Sequence, residues 1–255
     1  MSASIPTPIP PPDVKDRLKE SYNAIAEAYM NWSAGRHNHL RFNYTAELLK
    51  LLRRDRLHPT TAGGDSSPPQ DGGDVSLGGL RALELGCGCG VPVIGTLLAR
   101  GFEVLGVDLS STQVQMATRK YFPDEVQNGQ LVVVEKDMME LTYPPGEFDV
   151  VVALYSLIHL PRNEQRVMME RVHRWLKPGG MILMNYSVEE LEGEVIEKWL
   201  GQEKGWVYWS AWGKDKMLDM LDELEFKVLL QEVKGDEGTD ASFLWVIAQK
   251  ENGNC

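Results

Sequence analysis

Leu83-Glu84-Leu85-Gly86-Cys87-Gly88-Cys89-Gly90-Val91-Pro92 sets three glycines at alternate positions, directly after a short apolar run and directly before a helical one. A strand that must turn at once into a helix leaves few folds open. Glycine reaches backbone conformations closed to other residues and leaves room for a ligand to press on the main chain. Proline at position 92 suits a first helical turn. The exposed N–H groups of such a turn, with the helix dipole behind them, attract an anion or a carboxylate. Taken alone, the same glycines also make nothing more than a tight turn.

The rest of the chain settles the class. From position 81 onward strand and helix patterns alternate. Strands are predicted at 81–85, 103–107, 131–135, 148–154 and 181–187, with helices at 91–100, 111–121 and 164–176. A further helix at 214–223 precedes strands at 226–233 and 242–249. Alternation of this kind gives an α/β fold with a mostly parallel, doubly wound sheet and right-handed crossovers. The last two strands have no helix between them and should pair antiparallel. Upstream, Val14, Leu18, Tyr22, Ile25, Ala26, Tyr29 and Met30 step by three or four and predict a helix over 14–30. Leu40, Tyr44, Leu48, Leu51 and Leu52 predict a second over 40–54. Neither would hold alone, so both must dock on the main domain.

Two stretches resist folding. Residues 1–12 carry five prolines and predict an extended, disordered tail. Residues 58–79 are rich in Gly, Ser, Asp and Pro, with little to bury, and predict a flexible insertion. The chain therefore divides into the tail, a helical lid over 13–57, the insertion, and a main domain over 80–255 with a cap segment at 188–213.

Composition narrows the function. With 43% hydrophobic and 25% charged residues, the 255-residue chain fits a single globular α/β core. A net charge of −11 with no Lys/Arg stripe argues against a nucleic-acid partner. Three cysteines make no disulfide framework, and Cys87 and Cys89 lie too close for an easy bridge, which points to a reducing compartment. No apolar run approaches the roughly 18 residues of a membrane span, and no signal-peptide pattern opens the chain. The expectation is a soluble cytoplasmic protein, monomer or homodimer, without a membrane partner.

Folds of this class place their chemistry at the carboxyl ends of the strands. Asp108 ends the second strand, where a carboxylate accepts hydrogen bonds from both hydroxyls of a ribose. Asp137 follows the third strand, placed to meet an adenine amino group. Singly, each is also a cap or a turn former. In order on consecutive strand ends, with the glycine turn, they are far more specific. Dinucleotide binding is the close competitor, but Val91 stands where G-x-G-x-x-G needs its third glycine. His159 follows the fourth strand and is the candidate general base, since histidine exchanges a proton near neutral pH. Its alternative is a bond to a loop carbonyl. His37, His39 and His173 are expected in solvent or on a helix surface, and no paired Cys/His cluster offers a metal site. The cap carries Trp199, Trp206, Tyr208, Trp209 and Trp212. Aromatic walls suit a flat apolar or cationic ligand, although such rings also simply anchor a cap.

The combination resembles a known family. Residues 83–90 resemble the first motif of the class I S-adenosylmethionine (SAM)-dependent methyltransferases. Gly106-Val107-Asp108-Leu109-Ser110 resembles the second, Lys136-Asp137-Met138 the adenine-contacting motif, and 148–155 the strand-four motif. Leu176-Lys177-Pro178-Gly179-Gly180 is similar to the turn before strand five. The nearest subgroup is the small-molecule type related to ubiquinone and menaquinone biosynthesis. The resemblance implies a Rossmann-like seven-stranded sheet of order 3-2-1-4-5-7-6 with strand seven antiparallel, and SAM as methyl donor. It further implies a helical lid closing over the cofactor. The cofactor residues expected are Tyr22, Gly86, Cys87, Gly88, Gly90, Asp108, Leu109, Asp137, Met138 and Leu154. Around a small aromatic or apolar acceptor, methylated on O, N or S, stand Tyr29, Trp32, Tyr155, His159, Tyr208, Trp209 and Trp212. The alternatives on this scaffold are a SAM-binding cyclase or isomerase and a non-catalytic partner protein.

Overall fold

The computed structural model describes residues 10–36, 38–57, 76–235 and 241–251. Two helices open the chain, α1 (Val14–Arg36) and α2 (Asn38–Leu57). Alternating elements follow: β1 (Arg81–Leu85), α3 (Val93–Leu98), β2 (Glu103–Asp108), α4 (Ser111–Gln115), α5 (Pro123–Gln127), β3 (Leu131–Glu135), β4 (Phe148–Ala153), α6 (Arg162–Trp175) and β5 (Leu176–Ser187). Then come β6 (Glu190–Glu197), β7 (Trp206–Trp212), α7 (Lys214–Glu223), β8 (Phe226–Gly235) and β9 (Ser242–Lys250).

Seven strands form one sheet in the order β3-β2-β1-β4-β5-β9-β8. The first five run parallel, while β9 is antiparallel to both β5 and β8. Counted within this sheet, that is the expected order 3-2-1-4-5-7-6. Successive side chains of a strand point to opposite faces, and here both faces are covered, as a parallel sheet requires. Leu83, Leu85, Val151 and Ala153 pack with Met168, Met169 and Val172 of α6 and Met217 and Leu221 of α7. Their neighbours Ala82, Val150 and Val152 face Leu48 and Leu52 of α2 and Ile94 and Leu97 of α3. The α2 stripe fits this face because its apolar positions recur every three or four residues. Tyr44 at its centre stacks on Trp245 of β9 with 4.3 Å between ring centroids, and its hydroxyl donates to Glu232 at 2.6 Å.

Several boundaries differ from the sequence reading. Both N-terminal helices run longer than the apolar stripes that announced them. The helix expected over 111–121 is α-helical only to Gln115 and continues as a π-helical turn over Met116–Tyr121, ending where Pro123 opens the short α5 that periodicity missed. Pro178-Gly179-Gly180 lies inside β5 at a register shift rather than before it. The cap forms an antiparallel hairpin, β6 with β7. Leu77, near the end of the expected insertion, and Leu80, just after it, are buried beside α2 and α3. The expectations for 1–9 and 58–75, and for His37, lie outside the described residues. No helix among the described residues is long and apolar enough to cross a membrane.

Candidate functional site

One cleft opens over the carboxyl ends of β1, β2, β3 and β4, roofed by α1 and the start of α2. About 1050 Å³ of empty space lies between its walls, part of it open to solvent.

The floor is the glycine turn. Gly86 N–H and Cys87 N–H both donate to the Val107 carbonyl, at 2.8 and 3.0 Å, strapping the end of β1 to β2. Gly86 has φ +70°, and a Cβ there would stand 2.5 Å from Ser156 Cβ. Gly90, at φ +81°, lies against the Phe122 ring, where a Cβ would meet Cε2 at 2.8 Å. Both positions therefore demand glycine. Asp108 holds the middle of the turn: Oδ2 accepts from Gly88 N–H at 2.7 Å and Oδ1 from Ser110 N–H at 2.8 Å. Burial pushes its carboxyl up, against those backbone donors. Asp137 caps the turn after β3, Oδ1 accepting from Met139 N–H at 2.9 Å, while Oδ2 meets Lys15 Nζ at 2.7 Å.

α1 is tied to this floor. Asn23 Oδ1 accepts from the Ser110 hydroxyl at 2.8 Å and from Thr112 N–H at 3.1 Å, at the start of α4. Its other side packs on β7, where Val14 and Leu18 are buried with Trp206, Val207 and Tyr208. Trp206 N–H donates to the Ser21 hydroxyl at 2.7 Å.

Above the floor stand two pairs. His159 Nδ1 lies 3.0 Å from the Tyr208 carbonyl and Nε2 lies 2.9 Å from the Tyr22 hydroxyl. A carbonyl only accepts, so Nδ1 carries the hydrogen and Nε2 accepts from Tyr22. Burial lowers the His159 pKa to about 4, with the Tyr208 bond opposing, and raises that of Tyr22. The second pair is Glu84 and Arg41. Glu84 is buried, its Oε2 has no hydrogen-bond partner, and burial raises its pKa to about 8 against the pull of Arg41. The Arg41 guanidinium donates to the Tyr29 hydroxyl at 2.9 Å and lies over the Tyr155 ring at 4.8 Å. Tyr155 has φ +55°, its N–H held by Asn185 Oδ1 at 2.6 Å. A bulky residue in the left-handed region is strained, and such strain collects at working sites.

Of the cofactor residues expected, Tyr22, Gly86, Cys87, Gly88, Asp108, Leu109, Asp137, Met138 and Leu154 line the cleft. Gly90 supports it from behind. Tyr29, Tyr155 and His159 also line it. Trp32 instead packs against Tyr29 and Trp199, at 6.0 and 5.8 Å between centroids. Tyr208 turns its ring into the α1–β7 core and offers the site its carbonyl alone. Trp212 Nε1–H donates to the Arg162 carbonyl at 3.2 Å, and Trp209 meets Trp199 edge-on at 6.3 Å. These three cap aromatics anchor the hairpin rather than line the cleft. His173 lies half-buried on α6, 5.0 Å from the Phe226 ring. Sequence reasoning missed Lys15, Arg41, Glu84, Gln113 and Ser156, all in the cleft wall. Only Glu84, inside the glycine motif, carried a readable signal.

Residues 82–180 match the family described as a methyltransferase domain. Over 106 residues the chain is 37% identical to 27-O-demethylrifamycin SV methyltransferase of Amycolatopsis mediterranei, covering 42% of this chain and 38% of the relative. Over 219 residues it is 27% identical to 2-methyl-6-phytyl-1,4-hydroquinone methyltransferase of Synechocystis, covering 80% and 60%. The chain thus spans less than two thirds of either relative. Among solved structures, the 1,6-didemethyltoxoflavin-N1-methyltransferase of Burkholderia thailandensis, with bound 1,6-didemethyltoxoflavin and S-adenosylhomocysteine, superposes with a TM-score of 0.67 at 14% identity, covering 98% of this chain and 97% of that one. That likeness is one of fold. Residues 82–180 thus match a methyltransferase domain, and the strand order of the sheet that holds them agrees with that match.

Proposed function

We propose that the protein transfers the methyl group of SAM to an O, N or S atom of a small aromatic or apolar acceptor. One observation carries this reading. Glu84 Oε2, both amide atoms of Gln113 and Ser156 Oγ are buried without partners in the wall of one cleft. Buried polar groups are nearly always satisfied, so a set left open around a cavity points to a ligand that completes it. Its chemistry fits SAM. Glu84 suits the ammonium and Arg41 the carboxylate of the amino-acid end, Asp108 the ribose hydroxyls, and Asp137 with Met138 the adenine.

Bound SAM supplies an electrophilic methyl group that needs no activation. The chain's task is then to hold the acceptor in line, exclude water and take the acceptor's proton. Tyr22 and His159 suit the last step. As the acceptor gives its proton to the Tyr22 oxygen, Tyr22 gives its own to His159 Nε2, while the Tyr208 carbonyl keeps that nitrogen the accepting one. Tyr29, Tyr155 and Met30 supply apolar walls for the acceptor.

Calorimetric titration with SAM and with NADH, repeated with Asp108→Ala, tests the cofactor site. SAM binding abolished by the substitution is expected, whereas binding of NADH instead, or of neither, sinks the reading. Transfer of label from methyl-labelled SAM to acceptors then separates methylation from cyclase or isomerase chemistry.

A further inference from the structure

Two cations of the cleft wall, Lys15 and Lys136, have no task in the proposed transfer, and Lys15 is the one seen paired with Asp137. Lys15 lies near the start of α1. Its Nζ is 2.7 Å from Asp137 Oδ2 and 2.9 Å from Glu164 Oε2 on α6. It lines the cleft together with Asp137. The other Asp137 oxygen is taken by Met139 N–H. Asp137 is thereby fixed in one orientation, with Oδ2 turned to the cleft edge. A carboxylate oxygen has two acceptor sites, so Oδ2 can hold the ammonium and still accept one more N–H. Without Lys15, the Asp137 and Glu164 carboxylates would face each other with no cation between them.

We propose that Lys15 is a positioning residue for adenine recognition: it aims Asp137 at the exocyclic amine and joins the first turn of α1 to the adenine end of the cofactor. The proposal rests on the reading that Asp137 meets the adenine. Binding an adenosyl compound and docking α1 then become one event. The effect belongs to the adenosine half of the ligand and is independent of the amino-acid half.

Lys19 provides the control. It is on the same helix, with Nζ 2.6 Å from Glu135 Oε1, but outside the cleft wall. Binding of SAM and of 5′-methylthioadenosine, which lacks the amino-acid end, is measured by calorimetry for the wild type, Lys15→Met, Lys15→Arg and Lys19→Met. Amide exchange of residues 14–21 is followed in the same proteins without ligand. Loss of a hydrogen bond to a charged group predicts that Lys15→Met weakens both ligands equally, by about tenfold. Lys15→Arg restores most of the affinity. Both Met variants speed exchange in 14–21, but Lys19→Met stays within about twofold of wild-type affinity, as an exposed pair should. Equal losses from the two Met variants would make the effect one of general helix docking and overturn the proposal. So would unchanged binding in Lys15→Met, or a loss confined to SAM. A wild-type protein that binds neither compound fails the methyltransferase reading itself, before any variant is made, and the Lys15 proposal falls with it.

Discussion

The Tyr22 hydroxyl stands 2.9 Å from His159 Nε2, and the Tyr208 carbonyl on the other side of the ring decides that this nitrogen accepts. Tyr22 comes from α1, His159 from the turn after β4 and the carbonyl from β7, so three distant parts of the chain set one tautomer. In Tyr22→Phe the imidazole loses a donor but stays buried, and burial is what lowers its pKa, so the value should stay near 4. Imidazole NMR titration reads this directly, and a climb back toward the ordinary value would mean that the Tyr22 hydroxyl, not burial, holds it down.

The same histidine leaves a mark on stability. Its folded pKa lies below its unfolded one, so the unfolded chain takes up the proton first as pH falls. The contribution is complete above about pH 6.5 and is lost between there and about pH 4. Denaturant melts across this window should show a smaller loss in His159→Asn than in the wild type.

Glu84 works in the opposite sense. Its folded pKa is raised to about 8, so much of it is protonated at neutral pH. If its carboxylate meets the ammonium of SAM, affinity should increase as pH rises through 8. Part of any such dependence belongs to the ligand's own ionisation. Glu84→Gln keeps that part and removes the protein's. A pH profile of dissociation constants that is identical in the two proteins would release Glu84 from this role.

Gly86→Ala should cost stability and binding together. The new methyl would stand 2.5 Å from Ser156 Cβ in a left-handed backbone. Overpacking of this kind costs about 1–3 kcal/mol, or several degrees of melting temperature in a chain this size. A melting temperature equal to wild type would mean that the turn relaxes without strain.

The aromatics expected around the acceptor should separate by place. Tyr29→Ala acts on the wall of the cleft and should change the acceptor KM. Trp212→Ala removes a side chain bonded to Arg162 and should lower the melting temperature with little effect on KM. The reverse pattern would put the acceptor on the hairpin.

What the sequence made legible is whatever depends on local pattern. The alternation of strands, the glycine turn, Asp108 and Asp137 at strand ends, and the antiparallel last pair all follow from spacing and residue type. Lys15 and Arg41 did not show, because each lies on a helix where most basic residues meet water. Their burial depends on which face docks, and that is decided by elements more than a hundred residues away. Tyr208 misled for a related reason: an aromatic in a cap segment suggests a wall, yet strand alternation turned its ring into the core and left only its carbonyl at the site. The π-helical turn at 116–121 carried no periodic sign at all.

The contacts that close the cleft span the chain. Ser21 meets Trp206 across 185 positions, Arg17 meets Glu197 across 180, and Tyr22 meets His159 across 137. Contacts so remote in sequence form late, because the chain between them must be ordered first. During synthesis α1 leaves the ribosome long before β7 and has no β7 to rest on until residue 212 has followed. The Tyr22–His159 pair is thus among the last parts of the molecule to come into being, and a nascent chain stalled short of the hairpin carries a finished glycine turn under an open roof.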